Sequence, residues 1–332
     1  MSTPKWKGAA GLGYTGDATT AIVAGSETIY PIAETIDAKG EPATYERVTS
    51  QQPDVLNINR AGMDYSYTVD GMQASCGDIG YLLWLALGSE TYSAGDHQLS
   101  PADDSLYFGF NIDRKLDLGS TLYTERYVGC KIGSLTIEQP LRDYAKVSFS
   151  GLCCDKHATN GGALDPSVST DADNQPLDWG ALIDTGSGSY CKIGYDGAGS
   201  QDNEVQGFKI ELTRSQAYGG YTQSGGQPTA ILEGGRRLNF EITREFGGSN
   251  AIDDYNAWKD NESIEFSIRY DIGSHMFSFI VYEARVVGSF AGEIGAGEDA
   301  IMATLVCTAT YPDSEAKICY AVVDDDTDLA YS

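Results

Sequence analysis

The strongest constraint on the fold is a pattern of a strand and a helix that occurs twice along the chain. Each half contains an alternating segment, residues 64–70 and residues 238–244, followed by a short segment with helical spacing. Alternation of apolar and polar side chains predicts a strand with one buried face. The side chains predicted to face inward are Tyr65, Tyr67 and Val69 in the first half, and Leu238, Phe240 and Ile242 in the second half.

The similarity between the halves continues beyond these segments. A tyrosine, Tyr127 or Tyr282, precedes a basic residue, a Gly-Ser pair and a glutamate, and an alternating strand then ends near Cys153 or Cys307. A repeat of this kind indicates that one supersecondary unit occurs more than once. We therefore predict two copies of one β-rich module, against the alternative that any two β-meanders share such a pattern.

The first helix is predicted over residues 77–88, which have a broad apolar face. Asp78 is the predicted N-cap, because a carboxylate accepts a hydrogen bond from a free amide of the first turn. Gly88 is the predicted stop, because glycine adopts the left-handed conformation that ends many helices.

The second helix is predicted over residues 249–259, behind a cap at Ser249 or Asn250. Its apolar residues recur at helical spacing, which predicts that they share one face. These residues are Ile252, Tyr255 and Trp258.

The two modules are predicted to occupy residues 1–160, which include an N-terminal arm, and residues 205–332. Residues 161–204 between them are rich in Gly, Asp, Ser and Asn, which predicts a linker or an insertion. A second loop, residues 216–226, lies between two strand-like segments and predicts a long hairpin arm.

The charge balance limits the kinds of partner. Asp and Glu number 48 against 22 Lys and Arg, which gives a formal net charge of −26 at pH 7. Duplex DNA is bound through neutralisation of its phosphates by Lys and Arg, so this chain is poorly suited to gripping nucleic acid. An acidic surface would let nucleic acid pass without sticking, but it would equally aid solubility or suit a salty cytoplasm.

The cysteines and the hydropathy indicate a protein made in a cytoplasm and not inserted into a membrane. Seven scattered cysteines, with no C-x-x-C pair and no signal peptide, predict reduced thiols that mostly pack as small hydrophobic groups. The longest apolar segment, residues 81–87, is far shorter than the roughly 20 residues of a membrane-spanning helix.

No catalytic, cofactor or metal site is predicted. The sequence contains no H-E-x-x-H, no G-x-S-x-G and no Walker phosphate loop. Acidic residues are so abundant that no pair of carboxylates stands out. The sequence therefore predicts a protein that is not an enzyme.

The order of segments resembles the tail tube proteins of long-tailed, siphovirus-like phages and of archaeal tailed viruses. In the first half, residues 60–71 followed by residues 82–88 carry the resemblance. The segments that carry it in the second half are residues 235–246, 255–258, 264–270, 287–290 and 292–293, and the closing strand to Thr310.

This resemblance implies a mainly β fold with two tail-tube-type β-sandwich domains, each with a short α-helix. The sheets would join between subunits into a β-barrel ring, of three chains, or of six if only one domain lines the lumen. Stacked rings would form the hollow tail tube of the virion, through which viral double-stranded DNA passes without specific binding. Further implied partners are a tape measure protein, a head–tail connector or terminator, and distal tail proteins.

Two sets of residues are candidates for roles in such a tube. Tyr218 and Tyr221, in the predicted arm, are candidates for contacts between stacked rings. Four acidic residues alternate with apolar neighbours and are predicted to face away from the core, toward an acidic lumen or the outer surface: Glu241, Glu245, Glu265 and Asp271.

Two other interpretations stay open at this point. One is an acidic two-domain β-sandwich module that binds a carbohydrate or a cell surface through Trp84, Trp179 and Trp258. Packing is the better account of Trp84 and Trp258, because both lie on the predicted core faces of helices. The other is a different tail component, such as a tube terminator.

Overall fold

The computed structural model describes most of the chain. Backbone is described for residues 5–6, 10–15, 27–29, 33–49, 52–93, 95–102, 109–117, 122–160, 176–183, 188–195, 198–201, 205–221, 228–245, 248–287, 292–293, 302–311 and 317–324. Side chains are described for residues 64–93, 95–102, 110, 112, 127–155, 176–182, 188–195, 205–221, 228–244, 252–287, 303–311 and 317–324.

The described elements are mostly strands. Those of the first half are β1 (Lys5–Trp6), β2 (Ala10–Thr15), β3 (Glu27–Ile29), β4 (Ala33–Thr49), β5 (Gln52–Gln73), β6 (Gly88–Ser93), β7 (Asp96–Pro101), β8 (Gly109–Asp117), β9 (Leu122–Gln139), β10 (Lys146–Cys153) and β11 (Asp155–Asn160). Those of the second half are β12 (Tyr190–Tyr195), β13 (Ala198–Gln201), β14 (Val205–Tyr218), β15 (Ile231–Glu245), β16 (Ile264–Ile272), β17 (His275–Val286), β18 (Gly292–Glu293), β19 (Met302–Ala309) and β20 (Cys319–Asp324). The helices are α1 (Cys76–Leu87), α2 (Trp179–Ile183) and α3 (Gly248–Asp260).

One layer of the molecule is an antiparallel sheet that runs through both halves. Its strand order is β4–β5–β10–β9–β14–β15–β19, and the end of β17 and then β18 pair with the far edge of β19. We call this layer the long sheet.

A second layer covers one face of the long sheet. Over the first half it includes β8, the N-terminal part of β9, and β11, with β1 and β2 paired to β8 and β3 paired to β2. Over the second half it consists of β13, β12, β16, β17, β20 and the β6–β7 hairpin, which pairs with the edge of β20. We call these strands the covering strands.

Aromatic contacts between the two layers show how the core is filled. The ring of Phe240 on β15 stacks on that of Phe266 on β16, with centroids 4.9 Å apart. The ring of Tyr67 on β5 meets that of Phe110 on β8 edge to face, with centroids 5.7 Å apart. Each half therefore packs as a β-sandwich, and the prediction of a mainly β, sandwich-type fold with short helices is confirmed.

The predicted strand faces are confirmed in both halves. All six side chains predicted to face inward are buried: Tyr65, Tyr67, Val69, Leu238, Phe240 and Ile242. All seven cysteines are free thiols and buried. The core continues from one half into the other, and the domain boundaries at residues 160 and 205 stay a prediction.

Helix α1 lies at its predicted place, but its N-cap differs from the prediction. The cap is Ser75, whose side chain accepts a hydrogen bond from the amide of Asp78, and Asp78 lies inside the first turn. Gly88 ends the helix with φ 87°, as predicted, and its amide donates to the carbonyl of Trp84. None of the helices in the described ranges is both long and apolar enough to cross a membrane.

Helix α3 differs more from its prediction. It begins at Gly248, so Ser249 and Asn250 lie within it. The predicted apolar face is wrong, because Ile252 is 62% and Tyr255 45% exposed, while Asp254 and Ala257 are buried.

Candidate assembly surfaces

Within the long sheet, the two halves of the chain are joined edge to edge by one pair of strands. Residues 208–213 of β14 pair antiparallel with residues 134–139 of β9, with Ile210 opposite Ile137 and Lys209 opposite Glu138. The backbone hydrogen bonds of this seam satisfy an edge of each half. We call this pair the internal seam.

The side chains of the internal seam separate onto two faces. Ile137, Leu135, Ile210 and Leu212 are buried toward the covering strands. The alternate residues belong to the opposite face of the long sheet. On this face, residues opposite each other on neighbouring strands form rows that run across the sheet. One such row contains Lys146, Glu138, Lys209, Glu241 and Val306 on successive strands.

This polar face is rich in hydroxyl groups and carries charges of both signs. The Thr308 hydroxyl donates to Asn239 Oδ1 at 2.9 Å, and that of Ser148 donates to Asp70 Oδ1 at 2.7 Å. Hydroxyl residues in the described registers of this face include Ser66, Thr68, Ser134, Thr136, Ser148, Ser150, Thr213, Thr243, Thr304 and Thr308. Lys209 lies between Glu138 on one neighbouring strand and Glu241 on the other. Opposite charges across strands stabilise each other and leave little net attraction for an anion.

The β14–β15 hairpin extends beyond the internal seam and folds back on the first half. Its strands are bridged at Tyr221 and Pro228. The Tyr218 hydroxyl accepts from the amide of Tyr65 at 2.9 Å and donates to the carbonyl of the same residue at 2.7 Å. The Tyr221 hydroxyl donates to Asp64 Oδ1 at 2.7 Å. Burial raises the pKa of the Tyr218 phenol, so it stays a neutral donor. We call this part of the hairpin the arm.

A buried group of charges at the base of the arm ties the halves together. The carboxylate of Glu233 lies 2.8 Å from Lys131 Nζ and 3.1 Å from Arg214 Nη1, with its side chain only 6% exposed. Gln216 Oε1 accepts from the amide of Leu152 at 3.2 Å. A paired, buried carboxylate of this kind holds its partners in one arrangement, because separating them would leave a charge without a partner.

A third contact fixes helix α3. Arg244 on β15 donates from Nε to Asp254 Oδ2 at 2.8 Å, and Arg244 Nη2 donates to the Tyr195 hydroxyl at 2.7 Å. Tyr195 also hydrogen-bonds Asp254 Oδ1. Burial and the neighbouring carboxylate raise the pKa of Tyr195. α3 is thus attached to β15 and β12 through polar groups.

Comparison with known proteins shows the family of the chain. The family model described as phage tail tube protein matches residues 17–309. The chain belongs to the phage tail tube protein family. No curated protein matches the chain. The family is one of structural virion tail components, so the resemblance stated from the sequence is confirmed.

In this tail tube protein the four candidate acids lie in different places. Glu241 belongs to the polar face of the long sheet, whereas Glu265 and Asp271 lie on β16, among the covering strands. Glu245 ends β15, and its side chain lies outside the described residues. The candidates therefore do not form one acidic surface, and their roles stay predictions.

The candidate arm residues are brought together, but on their own chain. The rings of Tyr218 and Tyr221 lie 6.0 Å apart. The Tyr218 hydroxyl hydrogen-bonds the backbone of Tyr65, and the Tyr221 hydroxyl hydrogen-bonds Asp64. Residues 222–227, the tip of the arm, lie outside the described residues. A role for this arm between stacked rings stays a prediction.

Sequence analysis missed the residues that join the halves. The internal seam, the Glu233 group and the Arg244–Asp254 pair all connect residues on different elements of the chain. The only available signal was the repeat itself, since a repeated module that joins to its copy must carry complementary edges.

Two long-sheet edges are left without a strand in the described part of the chain. β4 pairs on one side with β5, and β18 pairs on one side with β19. Within the same residues no group of three or more His, Cys, Asp or Glu side chains is arranged to hold a metal ion. Trp84 is only 1% exposed, which removes it from any sugar-binding platform.

Proposed function

We propose that this protein assembles into the hollow tail tube of a long-tailed virus, and that double-stranded viral DNA passes through the tube. Membership of the tail tube family supports a structural role in the virion tail. The two open edges of the long sheet support self-assembly, because an unpaired strand edge is a template for a further strand.

The observation that carries the proposal is the repeat of one strand order. In the first half the long sheet runs β4–β5–β10–β9, with Lys146 opposite Glu138. In the second half it runs β14–β15–β19–β18, with Met302 opposite Glu293. The covering strands repeat as well. In the first half β8 and β11 pair with β9, and in the second half β16 and β20 pair with β17.

This repeat turns the internal seam into a guide for contacts between chains. The internal seam joins β9 of the first module to β14 of the second. The equivalent strands at the open edges are β18, which corresponds to the end of β9, and β4, which corresponds to β14. We therefore place β4 of one chain beside β18 of the next, in a heterologous contact that closes into a ring.

The register of the internal seam gives the register of this contact. Lys209 lies opposite Glu138, and the equivalent residues at the open edges are Thr35 and Glu293. The next pair along is Ile36 with Gly292, which corresponds to Ile210 with Ile137. The contact between chains thus repeats the one within a chain.

Two modules in each chain favour a ring of three chains. Each module supplies four strands to the long sheet, so a ring of three chains presents six equivalent modules with the polar face inward. Hydroxyl groups and balanced charges on that face would leave a phosphate backbone few cations to bind, which suits passage of DNA. Six chains would instead require one module to lie away from the lumen.

The proposal assigns the chain a place among other tail components. A tape measure protein would lie inside the tube during assembly, and a connector or terminator and distal tail proteins would cap its ends. Synthesis in the host cytoplasm fits the seven free, buried thiols.

Electron microscopy of the purified protein tests the assembly. We expect uniform hollow tubes, with three chains in each ring. Monodisperse monomers at high salt, even in the presence of a tail-initiating complex, would contradict the proposal. Rings of six chains would contradict the trimer but not the tube.

A pair of disulfide variants tests the register. We expect Thr35→Cys with Glu293→Cys, or Ile36→Cys with Gly292→Cys, to link chains into covalent rings under mild oxidation. Both pairs are needed, because neighbouring antiparallel pairs alternate between wide and narrow spacing. Thr35→Cys with Gln73→Cys is the matched control, since these two positions are not opposite in any proposed contact. Equal cross-linking in the control would reject the register.

A further inference from the structure

The two modules bury their helices to different extents. α1 follows β5 and α3 follows β15, so both helices have the same place in the repeat. In α1, Leu82, Leu83, Trp84 and Leu87 are all at most 1% exposed. In α3, Ile252 is 62% and Tyr255 45% exposed.

Part of the cover over α1 comes from the other module. α1 contacts β9 of its own module and the β6–β7 hairpin, and it also contacts β17 and β20, which are covering strands of the second module. The β6–β7 hairpin extends that cover by pairing with β20. α1 is therefore buried across the internal seam.

Among the described elements, helix α3 has a contact equivalent to the one between α1 and β9 but no comparable contact with covering strands of another module. It packs on β17 of its own module, as α1 packs on β9. The Arg244–Asp254 pair holds it in place, with the two side chains 2% and 1% exposed. The face with Ile252 and Tyr255 is thus presented in a fixed orientation.

We propose that this face of α3 is a docking surface for a second copy of the same chain. Its occupant is the covering layer of the first module of the next chain, at β9 and β11. These strands correspond to β17 and β20. In the first module β11 comes after β10 and pairs with β9, and in the second module β20 comes after β19 and pairs with β17.

The direction of the ring agrees with this docking. Across the internal seam, α1 of one module lies under the covering strands of the module that follows it. In the proposed ring, the module that follows the second module of one chain is the first module of the next chain. The inference therefore rests on the proposed function, and it adds a second contact to each interface between chains.

The apolar character of the α3 face fits such a contact. Exposed apolar side chains that lie together in a patch mark interaction sites more often than scattered ones do. Burial of two such side chains would add favourable free energy to a seam that otherwise relies on backbone hydrogen bonds. A strand edge without this contact would bind any other strand, so the helix also supplies specificity.

Thiol labelling of a matched pair of variants tests the docking. Ile252→Cys places a thiol on the proposed surface, and Val306→Cys places one on the polar face of β19, where Val306 is 37% exposed. The native cysteines are all buried, so the labelling background is low. We expect a small maleimide to label Ile252→Cys about tenfold more slowly in tubes than in monomers, whereas labelling of Val306→Cys stays within about threefold.

A charge substitution gives an independent readout. Ile252→Asp would bury an unpaired carboxylate at the interface, so we expect the protein concentration needed for assembly to rise by about a hundredfold. Val306→Asp, with the same chemical change, should still assemble at the wild-type concentration. Circular dichroism of the monomers checks that both variants fold.

The outcomes separate this inference from the proposed function. If wild-type protein forms tubes but Ile252→Cys is labelled equally in tubes and monomers, the docking is wrong and the tube stands. If Ile252→Asp assembles like the wild type, the docking is also wrong. If the wild-type protein forms no tubes under any condition, the proposed function fails first.

Discussion

Arg244 and Asp254 form an ion pair in the interior of the second module, with side chains 2% and 1% exposed. They lie on β15 and α3, and the Tyr195 hydroxyl bonds both. In the first module, Met72 occupies the place of Arg244 by its register with β10. The same junction between strand and helix is thus apolar in one module and ionic in the other.

Removal of one partner of this pair should be costly. We expect Asp254→Ala to lower the free energy of unfolding by about 3 to 5 kcal/mol, because it leaves the Arg244 guanidinium buried without its counter-charge. Urea unfolding of the monomer measures this change. Asp253→Ala, which removes an exposed neighbouring carboxylate, is the control and should change the free energy by less than about 0.5 kcal/mol. Equal effects of the two variants would contradict the role of the pair.

The arm offers a second matched pair of substitutions. Tyr218→Phe removes the hydroxyl that serves both backbone groups of Tyr65, so we expect a loss of about 1 to 3 kcal/mol in the free energy of unfolding. Tyr221→Phe removes an exposed hydrogen bond to Asp64 and should cost less than about 0.5 kcal/mol. Hydrogen exchange at the amide of Tyr65 should rise in the first variant only. No difference between the variants would mean that the arm is not anchored on β5.

Gly151 on β10, which pairs with β9, gives a third prediction. A Cβ at Gly151 would overlap the carbonyl oxygen of Lys131 and lie 2.9 Å from the Tyr67 hydroxyl. That hydroxyl donates to the same carbonyl, so neither group can move away freely. We expect Gly151→Ala to destabilise the monomer by about 1 to 3 kcal/mol.

The control for this substitution lies on the arm. A Cβ at Gly235 would meet nothing within 4 Å, so Gly235→Ala should change the free energy of unfolding by less than about 0.5 kcal/mol. Thermal unfolding of the two variants makes the comparison. Equal melting temperatures would show that the chain relaxes around Gly151.

Local patterns in the sequence predicted the elements and faces that local chemistry decides. Alternation placed Tyr67 and Phe240 in the core because side chains of a strand point to opposite faces with a period of two. Gly88 was predicted as a helix stop because its left-handed conformation is a property of that residue alone. The repeat predicted that both modules share one order of elements.

Contacts between distant segments could not be predicted in this way. Nothing in residues 208–213 specifies that they pair with residues 134–139, since strand pairing has no local signature. Asp254 was not singled out, because acidic residues on a helix usually face solvent and its partner Arg244 lies on another element. Helical spacing of apolar residues predicted that Ile252 is buried. Such spacing does not say whether the cover comes from the same chain or from another copy.

The buried thiols predict a loss of stability at alkaline pH. Burial raises the pKa of both Cys307 and Cys319 to about 12, from a usual value of 9.0. These thiols ionise more easily in the unfolded chain, so the stability they contribute is complete below pH 9 and is lost as the pH rises toward 12. We expect the free energy of unfolding to fall across that range. Cys319→Ala should make the fall shallower, and an unchanged slope in this variant would contradict the assignment.

The charge row on the polar face leads to a prediction about DNA. Lys209 lies between Glu138 and Glu241, so Glu241→Gln would weaken the compensation of its positive charge. If this face lines the tube, we expect duplex DNA to bind the variant tubes more tightly at low salt and to eject more slowly. The logarithm of the binding constant should then depend on the logarithm of salt concentration with a slope steeper by about 0.9 for each lysine that gains a phosphate contact.

Glu265→Gln is the matched control for this experiment, because it removes the same charge from β16 among the covering strands. In a tube with the polar face inward, Glu265 lies away from the DNA, and the variant should bind and eject like the wild type. Ejection from virions and DNA binding to purified tubes both report the difference. If Glu265→Gln slowed ejection as much as Glu241→Gln does, the polar face of the long sheet would not be the wall that meets the DNA.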